Sequence, residues 1–255
     1  MRLNLTWLAL VATCLSFPAH ANPFPGPAAP DGYPRRTIAG VSVLNTPLVR
    51  AAQQFARDHG DDTVYKHVMR CWLFGTLMLQ HNATLQTIVD AEVHAVALLL
   101  HDLGFEQTPN STIFTLDHRF EVDGAIAARK FIRSHQHGRN WEERRVQLVW
   151  DAIALHGVQN IAFYKESEVE GVSKSVGLDF SGPTLGVTEA EYAAVLDLFP
   201  RGDFKAAVIE TMTWLCRTKP DTTYETFMQG YGDQFVPGYS AVGVKSTPSD
   251  WHLGE

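Results

Sequence analysis

The stretch from Asp62 to Gly104, DTVYKHVMRCWLFGTLMLQHNATLQTIVDAEVHAVALLLHDLG, decides the fold. In its first part Val64, His67, Val68, Cys71, Trp72, Gly75 and Leu79 recur at helical spacing and further apolar residues fill the gaps. That pattern, apolar on more than one side, predicts a buried central helix over 62–81 with Asp62 as its cap. The polar Asn82-Ala83-Thr84 reads as a short link, and a second helix follows from about Gln86 to Asp102, stopped by Gly104. Helices joined by so short a link pack as an antiparallel pair. His67 lies 17 residues before residue 84 and His101 lies 17 after it. At about 1.5 Å per residue both imidazoles stand roughly 25 Å from the turn, level with each other on facing helices.

Outward from this pair the same period continues. Thr46-Pro47 is a cap followed by proline at the first helical position; Leu48, Ala51, Ala52 and Phe55 repeat on one face, and Gly60 ends the helix. Further helices are expected at about 120–137, 142–156, 189–198 and 202–217, with no strand pattern of convincing length between them. Residues 157–187, with Pro183 and several glycines, read as a long loop of the kind that often carries function. The expected fold is therefore an all-α bundle forming one domain over 41–240, with a tail at 241–255.

The N-terminus reads as a processed leader. Met1-Arg2, an apolar run to Phe17, and Ala19 and Ala21 at the −3 and −1 positions form a secretory signal peptide over 1–21, cleaved after Ala21. The mature chain is then expected to be secreted or periplasmic. No later apolar run is long enough to span a bilayer, so no membrane association is expected after cleavage. Residues 22–40 are rich in proline and glycine and read as an extended lead-in. Cleavage would remove Cys14 and leave Cys71 and Cys216, expected as buried thiols. A net charge of −7 with no basic run beyond Arg144-Arg145 argues against nucleic acid as a partner. A small-molecule substrate is the expected partner, and the oligomeric state is left open.

The chemistry-bearing residues gather around the level pair. Asp102 closes the second helix, where free carbonyls and the negative end of the helix dipole favour a cation. One carboxylate with two imidazoles suits zinc, iron or manganese better than calcium. Asp179, a lone acid between Leu178 and Phe180, is the candidate fourth ligand, since such an acid is expensive to bury without a partner. Arg70 is read as holding a carboxylate, and Cys71, four residues after His67, as a small buried residue.

The order His67, His101-Asp102, Asp179 resembles the H…HD…D pattern of HD-domain metalloenzymes. More narrowly, the segments His67 to Gly75, Leu100 to Gly104, Arg119 to Ala125, Ala154-Leu155-His156, Tyr164-Lys165-Glu166 and Leu178-Asp179-Phe180 resemble the cyanamide hydratase-like branch. The resemblance spans about residues 45–235. It implies an HD-domain helical bundle with one divalent metal, most often zinc, held by His67, His101, Asp102 and Asp179. The implied activity is a metal-activated water adding to a C≡N carbon, cyanamide to urea, with Glu121 or His156 transferring the proton. Two other readings stay open: an HD-type phosphohydrolase of nucleotides or other phosphate esters, and an exported protein that binds metal without catalysis.

Overall fold

The computed structural model describes residues 32–108 and 110–240. The expected signal peptide, most of the lead-in and the 241–255 tail lie outside the described residues. The fold is all-α, with eleven α-helices and one two-stranded sheet among the described residues.

That sheet revises the lead-in. Strands β1 (Arg35–Ile38) and β2 (Val41–Leu44) pair antiparallel, Arg35 opposite Leu44 and Ile38 opposite Val41, so the hairpin crosses the expected boundary at residue 41. Ala39 and Gly40 both take positive φ, the requirement of a two-residue turn whose twist matches the strands. Val41 and Val43 point into the core while Ser42 faces out. Strands of four residues give too short an alternation to read without their partner.

Helix α1 (Pro47–His59) starts as expected, with the Thr46 hydroxyl accepting from the Val49 amide. Helix α2 (Asp62–Gln80) is capped by Asp61, which accepts from the Val64 amide, and not by Asp62. The helix expected over 86–102 is divided into α3 (Ala83–Ile88) and α4 (Ala91–Leu100). The break is made by Asp90, whose carboxylate caps the amides of Glu92 and Val93 while Arg145 grips it from outside at 2.7 Å. Nearly every side chain of α4 is buried, which makes it the central rod of the bundle.

Helices α5 (Phe120–Ser134) and α6 (Glu143–Leu155) fall where expected. The long loop predicted over 157–187 is instead mostly helical, as α7 (Gln159–Ala162) and α8 (Ser167–Ser181). Val169, Val172 and Val176 of α8 are buried at helical spacing, and tertiary packing overrides its glycines. Helix α9 (Glu189–Leu198) opens with a reciprocal cap between Thr188 and Glu191, and α10 (Phe204–Thr218) and α11 (Gln229–Phe235) complete the chain. No helix among the described residues is long and apolar enough to cross a membrane.

Helix α2 packs on α4 and α8, and α6 closes the other side of α4 and α8. The three rods α2, α4 and α8 meet at Gly75, where a Cβ would lie 2.5 Å from Ser175 Oγ and 2.8 Å from His94 Cε1. At the C-terminal end of α4 the chain turns through Gly104, where a Cβ would sit 1.9 Å from the Phe120 carbonyl oxygen. The corner carrying His101 and Asp102 is thereby pinned on the first turn of α5. A separate small core of Phe120, Met212, Leu215, Cys216 and Met228 seats α10 and α11 over that same end of the bundle.

Candidate metal centre

Three elements bring the donors together. His67 projects from α2, His101 caps α4, Asp102 follows it into a single 3-10 turn, and His156 caps α6. His67 Nε2 is 3.3 Å from His101 Nε2 and 3.5 Å from Asp102 Oδ2, and His101 Nε2 is 3.3 Å from that same oxygen. His156 Nε2 faces the other oxygen, Asp102 Oδ1, at 3.8 Å. All four residues are buried.

The second nitrogen of each ring shows which tautomer the site imposes. Nδ1 of His101 donates to the Leu98 carbonyl at 2.8 Å, and Nδ1 of His156 donates to the Ile153 carbonyl at 2.7 Å. Nδ1 of His67 donates to Asp179 Oδ2 at 2.7 Å. Every Nδ1 proton is engaged outward, so every Nε2 turns a lone pair inward, toward an anionic carboxylate. Lone pairs gathered at such distances repel one another, and a shared cation relieves that repulsion. Fixing an imidazole through its far nitrogen is how metal-ligating histidines are oriented. Two overlapping buried groups here could hold a metal ion: His101, Asp102 and His156, and His67, Cys71 and His101.

Without a metal, the charges of the cluster are coupled. Burial works against charge on Asp102, but His101, His67 and His156 outweigh it and hold the carboxyl at about 2. Burial also works against charge on His101, and Asp102 outweighs it, raising that imidazole above its ordinary value. His156 goes the other way, pushed down to about 4 by burial and by His101.

Asp179 lies on the far side of the His67 ring from this cluster. The sequence offers it as a fourth ligand; the structure instead gives it three cationic or donor partners. Arg70 donates to it through Nε at 2.8 Å and Nη2 at 2.7 Å, Arg201 Nη2 lies 3.1 Å away, and His67 supplies the third contact. Burial raises the Asp179 pKa, and His67 and Arg70 overcome that and hold it well below the carboxylate range. Arg201 also donates to Tyr192, whose hydroxyl donates to the Leu178 carbonyl, so α9 braces the same corner.

Glu121 is fully buried and ion-paired with Arg119, with its pKa raised by burial against the pull of that arginine. It lies against Gly157, where a Cβ would be 3.4 Å from Glu121 Oε1. Cys71 Sγ sits 3.6 Å from both nitrogens of His67, buried, with its thiol pKa pushed up by burial and by Asp179. Residues the sequence did not single out include Arg201, Tyr192 and Phe204. Phe204 stacks on His67 at 5.0 Å and Phe180 meets it edge-on at 5.5 Å. No periodicity or motif signals Arg201, Tyr192 or Phe204, because their role depends on how α9 and α10 fold back over α2.

What the fold and donors define is an all-α protein with a buried histidine–aspartate cluster able to take a metal ion. Comparison with protein-family models finds no match for the chain, and comparison with curated proteins finds none.

Proposed function

We propose that His67, His101 and Asp102 hold one divalent ion, zinc, and that the protein is a cyanamide hydratase-like enzyme adding water to the C≡N carbon of a small uncharged molecule. The observation that carries the metal is the triangle of donor atoms with edges of 3.3, 3.3 and 3.5 Å. Tetrahedral coordination with bonds of about 2.0–2.1 Å has donor–donor edges of about 3.3–3.4 Å, whereas octahedral coordination at the same bond length would need about 2.9 Å. Two neutral imidazoles and one carboxylate leaving a fourth position open is the donor set of catalytic rather than structural zinc.

When bound, such an ion supplies a water acidified toward neutrality and polarises the substrate. The chain's own residues do the rest. Asp179, fixed by Arg70 and Arg201, keeps the His67 proton on Nδ1 and so keeps Nε2 available. His156 keeps its Nδ1 proton on the Ile153 carbonyl, which leaves Nε2 as an acceptor beside Asp102. Oxygen adds to the nitrile carbon, His156 Nε2 takes the proton that water gives up, and the nitrile nitrogen receives it. Glu121, beside Gly157, has its charge offset by Arg119 and is assigned no proton here.

The arginines favour this substrate over a phosphate ester. Phosphate recognition needs uncommitted positive charge at the site. Arg70 and Arg201 are engaged by Asp179, and Arg119 by Glu121.

The test is elemental analysis of the mature, tag-free protein beside His101→Ala and Asp102→Ala, followed by a panel of nitriles and phosphate esters. About one zinc per chain, lost in both variants, with amide or urea released from nitriles, is the expected result. Phosphate release without nitrile hydration would replace the hydratase with a phosphohydrolase. Metal without turnover on either panel would leave a metal-binding protein, and a metal-free protein after supplementation would end the proposal.

A further inference from the structure

Little of the cluster is exposed to solvent. His101 has no exposed surface, whereas His67, Asp102 and His156 are each 5–6% exposed. Aromatic rings flank the cluster on both sides. On the His67 side stand Phe204 and Phe180; Phe180 is 58% exposed although it directly follows the buried Asp179. On the His156 side, Phe120 packs edge-on against that ring at 5.7 Å. Phe227, 45% exposed, lies so close to Gly157 that a Cβ there would be 2.7 Å from its ring.

Phe180 and Phe227 come from different elements, α8 and the segment before α11, yet both are left uncovered, Phe180 against the His67 ring and Phe227 against Phe120, which itself packs on His156. Isolated apolar side chains on a surface need no explanation, but rings packed around a polar cluster and left exposed do. The side chains of Arg119 and Arg201 are partly exposed and both are engaged by carboxylates, so the rings offer apolar surface and π faces rather than free charge.

We infer that these rings form the subsite for the body of the substrate, and that the substrate is a planar aromatic nitrile rather than one as small as cyanamide. The nitrile part rests on the hydratase reading above; the aromatic part rests on the rings alone. An aryl ring seated against Phe180 or Phe227 gains the offset or edge-to-face contact that aromatic pairs prefer, about 0.5–1.5 kcal/mol beyond its buried area, or up to about tenfold in affinity per ring.

The test uses the zinc-loaded full chain with benzonitrile, cyclohexanecarbonitrile and acetonitrile as probes. Binding is followed by saturation-transfer NMR with competition titrations, and amide release is assayed in parallel. Benzonitrile is expected to bind about tenfold more tightly than acetonitrile and several-fold more tightly than cyclohexanecarbonitrile. Phe180→Ala and Phe227→Ala are each expected to weaken benzonitrile several-fold with metal content and melting temperature unchanged. Equal binding of benzonitrile and cyclohexanecarbonitrile, or benzonitrile affinity indifferent to both substitutions, overturns the aromatic subsite. Benzonitrile bound with the expected ring dependence but never hydrated upholds the subsite and removes the hydratase reading. Hydration of acetonitrile or cyanamide with no benzonitrile binding does the reverse.

Discussion

Nδ1 of His67 lies 2.7 Å from Oδ2 of Asp179, a contact that ties α2 to α8 across 112 residues of sequence and sets which nitrogen of His67 faces the cluster. Arg70, one turn along α2, grips the same carboxylate from the other side. Asp179 therefore does two things: it orients a ligand and neutralises a buried arginine.

These roles separate in mutagenesis. Asp179→Asn retains a hydrogen-bond acceptor for His67 and is expected to weaken zinc binding about 10–100-fold, as loss of an orienting partner does, while His101→Ala abolishes it. Competition with a chromogenic chelator reads both. In urea, Asp179→Ala should cost about 3–5 kcal/mol, because it leaves Arg70, 1% exposed, without its carboxylate. If Asp179→Asn lost metal as completely as His101→Ala, the aspartate would be a ligand and not a positioning residue.

Two glycines should respond with opposite sign. Gly104→Ala drives a methyl into the Phe120 carbonyl, backbone that cannot swing aside, so about 3 kcal/mol or more of stability is expected to be lost. Gly177, inside α8, faces open space: a Cβ there would meet nothing within 4 Å. Gly177→Ala should stabilise by about 0.5–1 kcal/mol through helix propensity and a less flexible unfolded chain. Thermal denaturation of the pair checks both directions.

His94 predicts an acid-sensitive stability. Burial lowers its pKa from the ordinary 6.5 to about 4, so the folded protein keeps it neutral while the unfolded chain protonates it. Between about pH 6.5 and 4 the unfolded state binds the extra proton, and stability falls as pH falls, by about 3 kcal/mol at most from this group. Below about pH 4 both states are protonated and its contribution stops changing. Urea titrations at pH 7 and pH 5 should show a smaller difference for His94→Gln than for wild type; an identical difference would falsify the assignment.

Cys71 and Cys216 are both buried and free. Neither is expected to react with an aromatic disulfide reagent in the native protein, and both should react in denaturant. A peptide map under non-reducing conditions should contain no fragment joining them.

The helical class was legible because the 3.6-residue period persists wherever a face is buried, and the ends of α1, α2, α9 and α10 carry capping residues or glycine beside them. The level pairing of His67 with His101 followed from chain geometry, and it survives the unexpected break at Asp90. That break, and the folding of the predicted 157–187 loop into α7 and α8, turn on partners distant in sequence: Arg145 for Asp90, and the buried face of α2 for the α8 valines. The sequence by itself determined the helices and the residue types of the centre, since periodicity and donor chemistry are local properties. Only the tertiary structure decided that His156 joins Asp102, that Asp179 turns to Nδ1 of His67 and two arginines, and that Phe180 and Phe227 stand uncovered, on His67 and on Phe120. Each of those depends on how helices far apart in the chain are rotated against one another, which no local pattern encodes.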